Sequence, residues 1–444
     1  MSKNFTRRTL VKSAAGAAAM GAAATTLGVK PSSVFAAPSL VQSTGSKVEV
    51  KYWTAFGSGV NGDAQTKLIA DFSAGNPDIK ITPSLHATYE DLAAALVAAL
   101  QTGDQPDVAV LSDVWWFRFY LAEAIADLTP LLKDAKIDTG DYVQSLYTEY
   151  ARHGGQYAVP FARSTPLLYY NEDALTAAGL DKSIFAKWST FAAVAPKLVN
   201  GKTKFAFGLG NAASYGAWVL QGAVWAFGGH YSDPEFNMLI ADPPAVEAGE
   251  FFRKSITDGW STTTTKPEVD FQTGLTAAVL ASTGSLGGIK KAANFKFGTA
   301  FLPEEKQFGC CTGGAGLSIL ASAKDEVKAA AMKFLDFSTN TDTTATWSQS
   351  TGYMPVRTSA IKSDKMVAFL KANPNSDVAI QQLPKTSPQD SARVFIPNGD
   401  QILGRGWEQI LVKKVAAQDA FNATKDELDQ EKVPVLEQIK SLEG

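Results

Sequence analysis

The residues best placed to do chemistry are polar turn residues and aromatics at the ends of apolar runs. Ser164-Thr165 follow Pro160-Phe161, and Ser282-Thr283-Gly284-Ser285 close the run Ala277–Ala281. Thr312-Gly313-Gly314 precede the run Leu317–Ala321, and Gly352-Tyr353 follow the indole of Trp347. Hydroxyls hydrogen-bond oxygen-rich solutes, glycines let backbone N–H groups come close, and a helix that starts after such a turn favours an anion. Any one of these turns is equally well an ordinary bend or cap. Together they point to a site that grips a solute. The residues that would cleave one are missing as motifs: the chain has no phosphate-loop lysine motif, no His-Glu-x-x-His, no calcium-binding loop and no Gly-x-Ser-x-Gly elbow. Gly208-Leu-Gly210-Asn-Ala-Ala213 comes nearest to a dinucleotide fingerprint, but Asp233 meets the acidic position only loosely, so the stretch reads as a plain turn. No carboxylate pair stands out for glycoside hydrolysis. The histidines, His86, His153 and His230, are far apart and leave little for a zinc site, so neither a metal nor another cofactor is expected.

Such turns meet only if strands and helices alternate along the chain. Lys47–Tyr52 has the period of a strand and Asp63–Phe72 that of a helix; Ile79–Ile81 and Tyr89–Gln101 repeat the pair, and Asp107–Leu111 reads as a buried strand. A helix over Trp115–Ala126 and extended stretches at Tyr157–Phe161 and Leu167–Tyr170 follow. A second run has helices at Phe185–Val199, Ala217–Phe227 and Ala245–Asp258, with a strand at Lys204–Gly208. Asp325–Phe337 is an amphipathic helix, and from Ser363 the pattern is mainly helical, broken at Pro384–Pro397. Alternation of this kind predicts an α/β fold with mostly parallel sheet. With no repeat and no linker, two α/β lobes must be joined by segments that cross between them, and a ligand belongs in the cleft where strand C-termini meet.

Composition narrows the class. Of 444 residues, 45% are hydrophobic and 19% charged, which suits a large globular core. The 41 basic and 44 acidic residues leave a net charge of -3, with no electrostatic footprint for nucleic acid. Arg7-Arg8 precede a weakly apolar, Ala- and Gly-rich run from Ser13 to Val29, and Val34-Phe35-Ala36 forms a small-x-small cleavage site. Residues 1–36 therefore read as a twin-arginine export signal, and the rest as a protein of the periplasm or the cell exterior. No cysteine lies near the cleavage site, so no lipid anchor is expected.

Ser164-Thr165-Pro-Leu-Leu-Tyr169-Tyr170-Asn171-Glu-Asp-Ala-Leu-Thr-Ala-Ala-Gly179 resembles the extracellular solute-binding proteins that serve ABC importers. Ser282–Ile289, Gly313–Leu317, Trp347–Pro355, Phe369–Pro374 and Ser391–Pro397 resemble, in the same order, the branch that binds sn-glycerol 3-phosphate and glycerophosphodiesters. The resemblance implies a two-lobe periplasmic-binding-protein fold, with 46–157 and 308–360 in an N-terminal lobe and 158–307 and 361–444 in a C-terminal lobe. It implies a monomer that closes on a small ligand and delivers it to ABC-transporter membrane subunits, with no catalysis; a sugar or oligosaccharide binder is the alternative. The branch's ligand-contacting positions fall on Tyr89, Asp113, Ser164, Trp218, Ser282, Thr283, Ser285, Gly314, Tyr353 and Arg393. Arg393 would fork onto phosphate oxygens, Asp113 would accept from glycerol hydroxyls, and Trp218, with Tyr215 a turn earlier, would pack on the carbon skeleton. Asp113 stands where the branch carries a longer Glu, which leaves room for a larger head group or a water. Arg163 is a second candidate cation that reads more simply as a solvated surface residue, and Cys310-Cys311 could close a vicinal disulfide after export.

Overall fold

Two five-stranded sheets organise the chain in a computed structural model that describes residues 47–444 apart from Ala213 and Ser214. The export segment 1–36 lies outside the described residues. In chain order the strands are β1 Val48–Thr54, β2 Ile79–Leu85, β3 Val108–Ser112, β4 Val159–Ser164, β5 Pro166–Asn171, β6 Phe205–Gly210, β7 Ser261–Thr264, β8 Thr276–Ser282, β9 Phe297–Ala300 and β10 Gly313–Ile319. The first sheet has the order β2-β1-β3-β10-β4 and the second β9-β5-β8-β6-β7.

Helices cover both sheets. Those used below are α1 Gly59–Gly75, α2 Tyr89–Thr102, α3 Trp116–Leu121, α4 Gly216–Ala226, α5 Pro243–Thr257, α6 Asp325–Thr339, α7 Thr341–Thr351, α8 Ser391–Val394, α9 Gly399–Leu411 and α10 Ala417–Glu443. The helix expected over Trp115–Ala126 is only α3, and Phe185–Val199 breaks into short helical turns around Pro196.

The sheets are mixed where mostly parallel ones were expected. β1 pairs in parallel with β2 and β3, and β8 and β7 pair in parallel with β6, but β10 runs antiparallel to β3 and β4, and β5 antiparallel to β8 and β9. The antiparallel strands are those next to the crossings. A strand arriving from the other lobe has not been turned around by a helix within its own sheet, which is what makes sequential strands parallel. β4 and β5 are separated only by Thr165, yet they belong to different sheets, so the chain leaves the first sheet there and not at 158. It returns through residues 301–312, between β9 and β10.

Strands at the junction are buried on both faces, which is why their sequences show no alternation. In β5, Leu167 and Tyr169 face the core of the first sheet while Leu168 and Tyr170 face that of the second. Val279 and Ala281 of β8 divide from Ala278 and Leu280 in the same way. Helix α10 ties the lobes again: Phe421 and Leu428 are in the second core, and Val435 is in the first, one residue beyond Pro434. At its end, Glu443 accepts from Arg152 at 2.6 and 3.0 Å and from the Tyr120 hydroxyl at 2.9 Å. Among the described residues no helix is long and apolar enough to cross a membrane.

The first core centres on Phe334 of α6, fully buried edge-on between Tyr52 at 5.1 Å and Phe72 at 5.2 Å. Phe334→Ala should cost about 3 to 5 kcal/mol, seen as a lower urea midpoint with unchanged denaturant slope; a loss under 1 kcal/mol would remove this cluster from the account.

Candidate functional site

The site is built where the crossings meet the ends of β3, β4, β8 and β10. Gly313 and Gly314, expected as a turn before a strand, are the strand's first two residues and pair with Ser164 and Arg163. Both must be glycine. A Cβ on Gly313 would lie 2.5 Å from the Trp218 indole, and one on Gly314, which has φ +96°, would lie 2.1 Å from the Ala162 carbonyl oxygen. The register this permits lets the Gly314 carbonyl accept from the Asp113 N–H at 2.9 Å and the Thr312 carbonyl accept from Trp218 Nε1 at 3.0 Å. Trp218 is thus a buried indole clamped on the second crossing, with Tyr215 edge-on at 5.9 Å.

Arg393, on α8, is 4% exposed. Its Nη1 donates to Asp113 Oδ2 at 2.9 Å and to Gln389 Oε1, and its Nε donates to Asp400 Oδ1 at 2.6 Å. Gln389 Nε2 also donates to Asp113 Oδ2, at 2.6 Å. Nη2 of Arg393 has no protein partner among the described residues. Burial works against this charge, but Asp400 and Asp113 outweigh it and hold the guanidinium above its ordinary range.

Arg163 is fully buried, not a solvated surface residue. Its Nη1 donates to the Tyr150 hydroxyl at 2.5 Å and its Nη2 to Glu149 Oε2, while Glu149 Oε1 accepts from the Thr312 hydroxyl. Burial pushes the Glu149 carboxyl up to about 7 against the pull of Arg163, and the Asp113 charge adds to the push. Glu149, Asp113, Thr312 and Gln389 line a cavity of about 210 Å3, walled on one side by Trp116 and Phe395.

A second group of expected residues lies beside this network. The Tyr89 hydroxyl, at the start of α2, is 3.4 Å from that of Tyr353, and burial raises both phenols. Tyr353 stacks on Trp347 at 6.2 Å and lies over Gly284, where a Cβ would be 2.6 Å from its ring. The Ser282–Ser285 turn is therefore brought to Tyr353, although its hydroxyls serve local bonds. Ser282 Oγ accepts from the Gly284 N–H at 3.1 Å, and Ser285 Oγ donates to Glu268 at 3.3 Å. The Thr283 N–H donates to the Thr165 carbonyl, and its buried hydroxyl has no partner among the described residues. Ser164, the last residue of β4, is buried and in register with Gly313. Gly208 and Gly210 are inside β6, in register with Thr262 and Thr264, and form no phosphate loop. Glu149, Gln389 and Asp400 were missed, because nothing in a single sequence distinguishes them from other polar residues. Arg163 was flagged by its place before Ser164 but assigned to the surface.

Cys310 and Cys311 are free and buried, contrary to the vicinal disulfide. Cys310 Sγ accepts from Gln382 Nε2 at 3.2 Å, whereas Cys311 Sγ is directed to the Trp218 carbonyl at 3.7 Å.

Two α/β lobes, joined by crossing segments around a buried polar network, define a two-lobed solute-binding protein. The family model for bacterial extracellular solute-binding proteins matches residues 67–376, and the chain belongs to that family. UgpB from Mycobacterium tuberculosis, solved in complex with glycerophosphocholine, is 39% identical, with 89% of this chain and 99% of that chain covered and a TM-score of 0.83. The sn-glycerol-3-phosphate-binding periplasmic protein UgpB of Salmonella typhimurium is 28% identical, over 91% of this chain and 96% of that protein. An ABC substrate-binding protein of Listeria monocytogenes, in complex with cycloalternan, is 20% identical with a TM-score of 0.76 over 86% of this chain and 98% of that one, a likeness of fold.

Burial raises both thiols, that of Cys311 to about 12. At pH 8 a thiol reagent should leave native protein unlabelled and modify both residues on denaturation; rapid native labelling, or a mass two hydrogens short, would contradict the buried free thiols.

Proposed function

We propose that this protein is the substrate-binding component of an ABC importer, closing its lobes on sn-glycerol 3-phosphate or a glycerophosphodiester and delivering it to the membrane subunits. Export through the twin-arginine signal, residence in the periplasm or outside the cell, and action as a monomer belong to the same proposal, and so does binding without catalysis. The observation that carries it is Arg393, buried at the junction of the lobes with Nη2 uncommitted. A buried guanidinium with a free donor is suited to a phosphate oxygen, while Asp113, Tyr89, Tyr353 and Ser164 supply the polar groups that glycerol hydroxyls need. Gly314 sets the strand close enough for its carbonyl to reach the Asp113 N–H, the Ser282–Ser285 turn supports Tyr353, and Trp218 holds the Thr312 carbonyl.

The charge balance favours the diester. Arg163 and Arg393 face the carboxylates of Asp113, Glu149 and Asp400, so a ligand with one negative charge meets less repulsion than a monoester with nearly two. The M. tuberculosis relative with glycerophosphocholine supports the same choice. A sugar ligand is less favoured: of Trp53, Trp115, Trp116, Trp218 and Trp225, which could stack on one, Trp218 is clamped on Thr312, Trp225 donates to Asp390 at 3.0 Å, and of the remaining three Trp116 lines the cavity and the half-buried Trp53 and Trp115 do not.

Calorimetric titration should show glycerophosphocholine binding more tightly than glycerol 3-phosphate, and maltose not binding; maltose as the tightest ligand would overturn the reading. Arg393→Lys keeps the charge but loses the planar fork, and should weaken glycerophosphocholine tenfold or more, as expected for about 1.5 to 3 kcal/mol per hydrogen bond to a charged group. Arg393→Ala should also lose about 3 to 5 kcal/mol of stability, because Asp113 and Asp400 would be left buried and unpaired. Unchanged affinity in Arg393→Lys would refute the phosphate assignment.

A further inference from the structure

Glu149 connects two of the chain's crossings between the lobes, at Thr165 and at residues 301–312. It lies in the short helical turn Thr148–Tyr150, on no strand, and none of its contacts is local except that with Tyr150 through Arg163. One carboxylate oxygen accepts from Arg163, which directly precedes Ser164 and the crossing at Thr165. The other accepts from Thr312, the last residue of the second crossing, whose carbonyl in turn takes the Trp218 N–H. The same carboxylate lines the cavity beside Asp113. A single side chain therefore spans two of the segments that a lobe movement must bend, and it does so beside the cavity where a ligand would enter.

We infer that Glu149 is a positioning residue that takes up a proton when an anionic ligand enters the cleft, releasing the field of Arg163 from the carboxylate to the ligand. The inference rests on the glycerophosphodiester reading above. The charged and titratable groups that face Glu149 are Arg163 on β4, Tyr150 on its own turn, Asp113 after β3, Arg393 on α8 and the Cys311 thiol on the second crossing. Above about pH 7, Glu149 and Arg163 neutralise one another in the free protein. A phosphate brought to Arg393 adds a negative charge near both Asp113 and Glu149, and like charges in a buried site are relieved by protonating the one least able to hold its charge. Burial has already brought Glu149 to that point, at about 7. Once protonated, it can still accept from one partner and donate to the other, so the two crossings remain tied.

The sign follows from linkage. The ligand raises the Glu149 pKa above its free value, so binding takes up a proton, and affinity is fully present below about pH 7 and falls as pH rises through the interval between the free and bound values. Glycerophosphocholine is the right probe, because its diester does not titrate near neutrality and any proton exchanged comes from the protein. Calorimetry at pH 7 in two buffers of different ionisation enthalpy should show uptake of a substantial fraction of one proton, with affinity several-fold weaker at pH 8.5 than at pH 6. Glu149→Gln, which keeps an oxygen for Arg163, should abolish both the uptake and the pH dependence. Binding without uptake in the wild type, proton release, or uptake that persists in Glu149→Gln would overturn the inference; the last would assign the proton to another group, such as His230 on Asp390. A ligand-free arm separates this from failure of the ligand reading. Infrared difference spectra between wild type and Glu149→Gln at pH 6 should show one protonated carboxyl in the wild type, and a Glu149 ionised down to pH 5 would refute the inference even if no ligand bound.

Discussion

Burying charge at the junction of two lobes is the constraint to which the rest of the structure answers. A guanidinium or carboxylate taken out of water costs several kcal/mol unless its neighbours replace the lost solvation. Arg393 is paired with Asp113, Gln389 and Asp400 and keeps Nη2 outside these bonds, and Arg163 is paired with Glu149 and Tyr150, with its buried Nε unpartnered among the described residues. Those partners come from the residue after β3, from the helical turn Thr148–Tyr150, from the loop before α8 and from α9, so the network exists only when segments distant in sequence are held in register. Each sheet end, crossing and glycine near the site can be understood as what that register requires.

Gly313 and Gly314 show how local geometry serves the network. The close pairing of β10 with β4 places the Gly314 carbonyl on the Asp113 N–H, and so aims the aspartate at Arg393. The indole of Trp218 occupies the space above Gly313 and fixes Thr312, which holds Glu149. The result is a continuous chain of contacts from the first crossing, through both arginines, to α9. A ligand that engages Arg393 thus acts on a network already shared by both lobes, which gives binding a physical route to lobe closure.

Much of this was legible in the sequence because it rested on periodicity and residue type. The alternation of strand and helix yielded the α/β class, and the family resemblance pointed to the two-lobe architecture and to Arg393 and Asp113, which the structure brings into direct contact. Strand direction at the crossings was not legible, since a tract buried on both faces, such as Leu167–Tyr170, looks the same in a parallel or an antiparallel neighbourhood. Burial of individual polar residues was equally hidden. Arg163 is of a residue type usually found at the surface, and only the fold shows that Glu149, 14 residues earlier, pairs with it. The glycines of β10 were recognised, but as a turn, because a single sequence does not reveal that a neighbouring carbonyl and an indole occupy the places of their side chains.

The most direct test of the account is a crystal structure of the protein with glycerophosphocholine. The account predicts phosphate within hydrogen-bonding distance of Arg393 Nη2, with glycerol hydroxyls directed to Asp113 and the lobes closed around them. A ligand whose phosphate faces solvent, or one held against tryptophans without contact to Arg393, would contradict it.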